Sequence, residues 1–167
     1  MRRAIWLLVI LAGTTTAQQR PLGNREQADE QSSIAREMLD AHNRVRTRVG
    51  VPKLVWSRRL AAYASDWAAR LLAGRQFAHR PDSEYGENLF AISGGRLSPS
   101  KVVSEWASEF RDYDLRLNYC NGVCGHYTQI VWDGTRQVGC GVAKGGGREI
   151  WVCNYDPPGN WNGRRPY

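Results

Sequence analysis

All four cysteines of this 167-residue chain, Cys120, Cys124, Cys140 and Cys153, fall in its last third, so covalent cross-linking is confined to that third. Residues Gln137 to Val142 and Glu149 to Tyr155 read as strands flanking the turn Lys144-Gly145-Gly146-Gly147. If Cys140 and Cys153 face each other across this hairpin, Val142 meets Trp151 and Val138 meets Tyr155 on the same face. Directly opposed residues of a non-hydrogen-bonded pair lie about 4.5 Å apart at Cα, close but compatible with a disulfide. A Cys120 to Cys124 bond would close a small ring around Asn121-Gly122. Loop-closure entropy gives about 2 kcal/mol for that ring and about 3 for the hairpin bond. The rival, a four-thiolate zinc site, fits poorly, because three, fifteen and twelve intervening residues do not make paired Cys-x2-Cys knuckles.

Export favours the disulfides. Arg2 and Arg3 precede the apolar run Ala4 to Ala12, and Thr15-Thr16-Ala17 offers a cleavage site after Ala17. Residues 1–17 therefore read as a secretory signal peptide, and the mature protein as secreted or extracellular (periplasmic in a Gram-negative cell). The apolar run is too short to span a bilayer, and no later stretch approaches roughly 18 apolar residues, so no integral membrane segment is expected. The formal charge of +7 drops by two when Arg2 and Arg3 are removed. The arginines, among them Arg44, Arg46, Arg48, Arg58 and Arg59, are scattered without a nucleic-acid-binding signature, so they read as a solvated basic surface. No nucleic-acid partner is expected, and the protein is expected to be a monomer.

Residues 18–30 are polar and aperiodic, a flexible leader before a single domain over 31–167. Three helices follow. The first starts near Ser32-Ser33, puts Ile34, Met38, Ala41, His42, Val45 and Val49 on one face, and stops at Gly50 and Pro52. The second runs from the N-cap Ser57 to Gly74. The third has Ser98 as N-cap and Pro99 at its first position, with Val102, Val103, Trp106, Phe110 and Tyr113 inward. Glu109 follows Val102 by seven residues, so at about 100° per residue it projects from the apolar face. A carboxylate there needs an arginine or a cation. With helices first and hairpins last, the fold class is α+β, a sandwich.

The chemistry concentrates in two segments. Gly125 to Trp132 alternates like a strand and carries His126, one of three histidines. Upstream, His79 precedes Tyr85-Gly86-Glu87-Asn88-Leu89. Histidines and carboxylates on separate elements can assemble a divalent-metal site.

These segments resemble the CAP superfamily, the cysteine-rich secretory, antigen 5 and pathogenesis-related 1 proteins, most closely its plant branch and bacterial relatives. The resemblance spans about residues 34 to 167 and rests on Leu39-Asp40-Ala41-His42-Asn43, Tyr85 to Leu89, Gly125 to Trp132, and Cys153-Asn154-Tyr155-Asp156-Pro157-Pro158-Gly159-Asn160. It implies a single three-layer α-β-α sandwich. It also implies a central cleft lined by His79, Glu87, Glu109 and His126, while His42 reads as a buried, hydrogen-bonded core residue. Plant members carry six cysteines. The two absent here make one whole bridge, which supports Cys120–Cys124 and Cys140–Cys153. The segment from Pro158 to Tyr167 also looks like one that some plant relatives release as a peptide, but a rigid wrap is the preferred reading.

Two imidazoles and one or two carboxylates suit zinc, bound weakly, with affinity falling as the histidines protonate at about pH 6–6.5. A metal-free reading also works, since a protonated histidine between two glutamates relieves their repulsion. A metal-dependent hydrolase is the alternative function. Against it, the chain has no His-Glu-x-x-His helix and no Gly-x-Ser-x-Gly elbow. The favoured expectation is an extracellular binding or scaffold protein. The resemblance implies a sterol or small lipid as ligand; the position of the segment Phe90 to Leu97, read as a loop, makes it the expected place for contacts.

Overall fold

The computed structural model describes residues 22–167. The signal peptide expected over residues 1–17 lies outside them. Helix α1 (Leu22–Val49) leads into a two-residue strand β1 (Val55–Trp56), then α2 (Arg58–Ala73), β2 (Gly86–Ser93) and α3 (Pro99–Ser108). A 3₁₀ turn (Glu109–Asp112), the short strands β3 (Tyr113–Asp114) and β4 (Tyr119–Cys120), and helix α4 (Gly125–Ile130) precede the closing hairpin of β5 (Gln137–Gly145) and β6 (Arg148–Asp156). The main sheet has the order β1-β5-β6-β2, antiparallel except for β1 against β5. Helices cover both faces, which makes the expected α-β-α sandwich.

The hairpin has the register its cysteines imply. Cys140 pairs with Cys153, Val142 with Trp151 and Val138 with Tyr155. Both disulfides, Cys120–Cys124 and Cys140–Cys153, are formed. Gly146 and Gly147 have φ of 56° and 72°, the left-handed pair that a two-residue type I′ turn demands.

Alternation sorts the two faces of the sheet. Val138, Cys140, Trp151, Cys153 and Tyr155 join Met38, Val102, Trp106 and Ile130 in one core, against α1, α3 and α4. Ile150, Val152 and Leu89 meet Ala64, Ala68 and Leu71 of α2 on the other. On that second face β5 contributes Gly139 and Gly141, so α2 rests almost directly on its backbone. The N-cap Ser57 accepts from the Leu60 amide, and that of α3, Ser98, accepts from the Lys101 amide.

Among the described residues of α1, two polar side chains are fully buried, His42 and Arg46. His42 Nδ1 donates to the Met38 carbonyl at 2.8 Å, and its Nε2 accepts the Tyr155 hydroxyl at 2.8 Å. Asn88 Nδ2 then donates to that same Tyr155 oxygen and to the His126 carbonyl, both at 3.1 Å. This chain of bonds requires neutral His42, whose pKa burial lowers to about 4. The unfolded chain therefore takes up a proton at about pH 6.5, before the folded one does. Its contribution is full above the unfolded value and is lost as pH falls toward 4. The expected loss is about 3 kcal/mol between pH 7 and pH 4. Urea melts across that range should show it, and His42→Gln should flatten it; equal acid slopes would refute this account.

Four expectations are corrected. The leader is helical from Leu22 onward, because extending a helix already anchored by packing adds one hydrogen bond per residue fixed. Phe110 is 56% exposed rather than inward, since α3 gives way at Glu109 to 3₁₀ winding of about 120° per residue, which rotates it off the core face. Phe90 to Ser93 continues β2 rather than forming a loop. Lastly, residues 125–130 form helix α4, not a strand. Glu109 accepts the first amides of α4, and Arg46 takes the Ile130 and Trp132 carbonyls at its far end, so tertiary caps override the alternating pattern. Among the described residues, no helix is long and apolar enough to cross a membrane.

Candidate functional site

Each of the two site histidines is held by a glutamate. His79 Nδ1 lies 2.9 Å from Glu87 Oε1. The same oxygen accepts the Arg80 amide at 3.0 Å, and Glu87 Oε2 accepts from Asn154 Nδ2 at 3.3 Å. Glu87 is almost fully buried, whereas the His79 side chain is 68% exposed. His126 Nδ1 lies 2.6 Å from Glu109 Oε1, and Glu109 Oε2 accepts the amides of His126 and Tyr127 at 2.9 and 3.2 Å. Glu109 thus turns and caps at once, its negative charge at the start of α4. Trp106 stacks on His126 at 6.1 Å between ring centroids.

Strand β2 separates the pairs. It is an edge strand, and successive side chains leave it on opposite faces. Glu87 goes to the α2 side with His79, while Asn88 goes to the other and reaches the His126 carbonyl. The four residues are therefore two hydrogen-bonded His/Glu pairs, one to either side of this edge, rather than a closed cage. Among the described residues, no group of three or more His, Cys, Asp or Glu is arranged to hold a metal ion. The carboxylates are spent on N–H donors, and no hydrogen bond to either histidine Nε2 occurs among the described residues. The bond to Glu87 raises the His79 pKa, with partial burial opposing it.

Three further residues shape the site. The Arg80 guanidinium stacks 3.7 Å over Tyr63 and pairs with Asp66 at 3.2 Å, pinning the segment that carries His79 to α2. Asn88 ties β2 to α4. Asn154 is fully buried, and its Oδ1 is without a partner among the described residues, beside Glu87. Asn88 and Asn154 each lie inside a motif read from the sequence, but nothing in their spacing told a hydrogen-bond relay from a surface amide. Arg80 carried no signal, since its partners come from α2.

A disulfide-stapled α-β-α sandwich with glutamate-braced histidines at its sheet edge is the architecture of one class of proteins, and comparison agrees. The chain belongs to the CAP family, the cysteine-rich secretory protein family, whose model matches residues 39–155. It is 41% identical to pathogenesis-related protein 1 of Arabidopsis thaliana over 162 residues, covering 96% of this chain and 95% of that one. Pathogenesis-related protein 1A of Nicotiana tabacum is 45% identical over 132 residues, 77% of this chain and 78% of that. Among solved structures, Schistosoma mansoni venom allergen-like protein 4 superposes with a TM-score of 0.67 at 29% identity, covering 80% of this chain and 93% of its own.

Proposed function

We propose that this is a secreted binding protein that captures a divalent cation, zinc by preference, weakly and reversibly through His79 and His126, with Glu87 and Glu109 behind them. The observation that carries it is the bracing: each Nδ1 is tied to a carboxylate, which orients the ring and leaves Nε2 as the available lone pair. The donor chemistry fits zinc, and the unpartnered Asn154 oxygen beside Glu87 adds acceptor capacity on that side. With no third ligating side chain arranged beside them among the described residues, two imidazoles supplemented by water would make a low-affinity site. A bound cation would supply a positive anchor for anionic groups. Protons compete for the same nitrogens, and the raised His79 pKa extends that competition upward in pH.

A sterol or small lipid is the proposed second ligand. A groove of about 660 Å³ between α1 and α2, lined by Ala35, Leu39, Trp56, Ala61 and Ala62, supports it better than the segment after Asn88. The names of the plant relatives suggest a role in responses to pathogens.

Calorimetric titration of oxidised residues 18–167 with zinc at pH 7.5 tests the site. Saturable binding is expected, weaker at pH 6.0, absent in the His79→Ala/His126→Ala double variant, and about 10- to 100-fold weaker in Glu87→Gln. No heat from folded protein, or the same heat from the double variant, would end this reading. Organic extraction of the purified protein, read by mass spectrometry, tests the groove.

A further inference from the structure

A second cavity, of about 310 Å³, lies between residues 160–166, the segment around Asn118 and the start of α4. Its size is at the lower end of ligand pockets, about 300 to 1,000 Å³. Three groups of its lining bear on the choice of ligand, an indole, two amides and a guanidinium, and no carboxylate lines it. Trp161 is aromatic and 55% exposed, with its Nε1 held by the Pro158 carbonyl at 3.1 Å, so the ring is fixed yet more than half open. Asn118 and Asn162 bring amides. The Asn118 oxygen accepts the Tyr113 hydroxyl at 2.7 Å, which leaves its NH₂ donors to a ligand. Arg164 brings the charge. Its backbone amide bonds the Trp161 carbonyl at 3.1 Å, placing the two residues on one turn, and its side chain has no acidic partner among the described residues.

Around this cavity further arginines gather, with Asp114 near Tyr113 as the opposing charge. Arg165 donates to the carbonyls of Leu115 and Arg116, which draws Arg116 and Arg165 together beside Arg164. An apolar lining alone would suit a hydrocarbon, and arginines alone any polyanion. An open indole, spare amide donors and an unpaired guanidinium together match a ligand with an apolar ring face, hydroxyls along its rim and a carboxylate.

We propose that this cavity is a binding site for an acidic saccharide, a short oligomer of hexuronic acid. The sugar ring lies on Trp161, its hydroxyls accept from Asn118 and Asn162, and its carboxylate pairs with Arg164. The site is separate from the groove between α1 and α2; it adjoins the start of α4, which carries His126, but neither site histidine nor its glutamate lines it.

The test is titration of the mature oxidised protein with trigalacturonate, followed by calorimetry and by tryptophan fluorescence. Saturable binding at 0.15 M salt is expected, with cellotriose at least 10-fold weaker. Trp161→Ala should weaken binding at least 10-fold and Trp161→Phe much less. Arg164→Ala should cost about 10-fold for the uronate and leave cellotriose unchanged, the scale of one lost charge-assisted pair. Unchanged melting temperatures would show that the exposed substitutions leave the fold intact. The proposal is overturned by no uronate binding to folded protein, by equal binding in Trp161→Ala, or by equal competition from poly-aspartate, which would mark bulk charge attraction alone.

Discussion

Gly139→Ala is expected to destabilise the folded protein by at least about 3 kcal/mol, a loss at or beyond the top of the usual overpacking range. A Cβ at Gly139 would stand 2.6 Å from the Leu60 carbonyl carbon and no farther from Ser57 O and Ala61 N, all backbone atoms of the start of α2. Backbone cannot rotate away as a side chain can, so α2 must lift off the sheet. Lifting it opens its contacts with Leu89, Ile150 and Val152. Gly141→Ala meets the same obstacle one step along, 2.5 Å from Ser65 Cα. Gly145→Ala is the control on the same strand, because the nearest atom is the Leu72 methyl at 3.3 Å, which can turn aside; less than about 0.5 kcal/mol is expected. Urea unfolding of the three variants checks the gradient, and equal costs at all three positions would refute the role given to bare backbone under α2.

Arg46→Ala carries the second large effect, about 3 to 5 kcal/mol by the same measurement. Arg46 is fully buried, and no carboxylate pairs with it among the described residues. Its guanidinium is bound by carbonyls instead: Pro52 at 2.6 Å, Ile130 and Trp132 at 2.8 Å, and Thr135 at 3.1 Å. Ile130 and Trp132 lie at the C-terminal end of α4, where unpaired carbonyls concentrate negative potential. Burial lowers the Arg46 pKa to about 10, so it stays charged at neutral pH. Removing it strands four buried acceptors at once. Arg46→Lys should recover little, since a compact ammonium cannot span the four positions of a planar fork. If the lysine variant melts like wild type, a single positive charge is all the site needs and this explanation fails.

What could be read in advance follows how local each determinant is. The hairpin register, the Ser57 and Ser98 caps and the helix stop at Gly74 were legible because each depends on residues a few positions apart. Glu109 was legible as an anomaly, a carboxylate on an apolar face, and its resolution is local geometry of another kind: it serves the amides of α4. Helix α4 was illegible for the complementary reason. Its six residues alternate like a strand, and both of its caps come from elsewhere in the chain, Glu109 before it and Arg46 far upstream. Arg46 itself sat among scattered arginines, and no periodicity marked it as the buried one. His79 and His126 could be nominated from motifs, but their separation by an edge strand is a property of sheet order, which spacing does not encode.

That sheet order has a consequence for how the molecule comes into being. The two central strands are β5 and β6, the last elements of the chain, while β1 and β2, made much earlier, are the edges. During synthesis or threading through a pore, α1 and α3 emerge with only each other to pack against, and α2 emerges without the strands it covers. Every long-range pairing of the main sheet waits for residues 137–156. Such late, non-local closure slows folding and makes it a single event at the end of delivery. A chain of this topology can thus be passed along unfolded without first having to be taken apart.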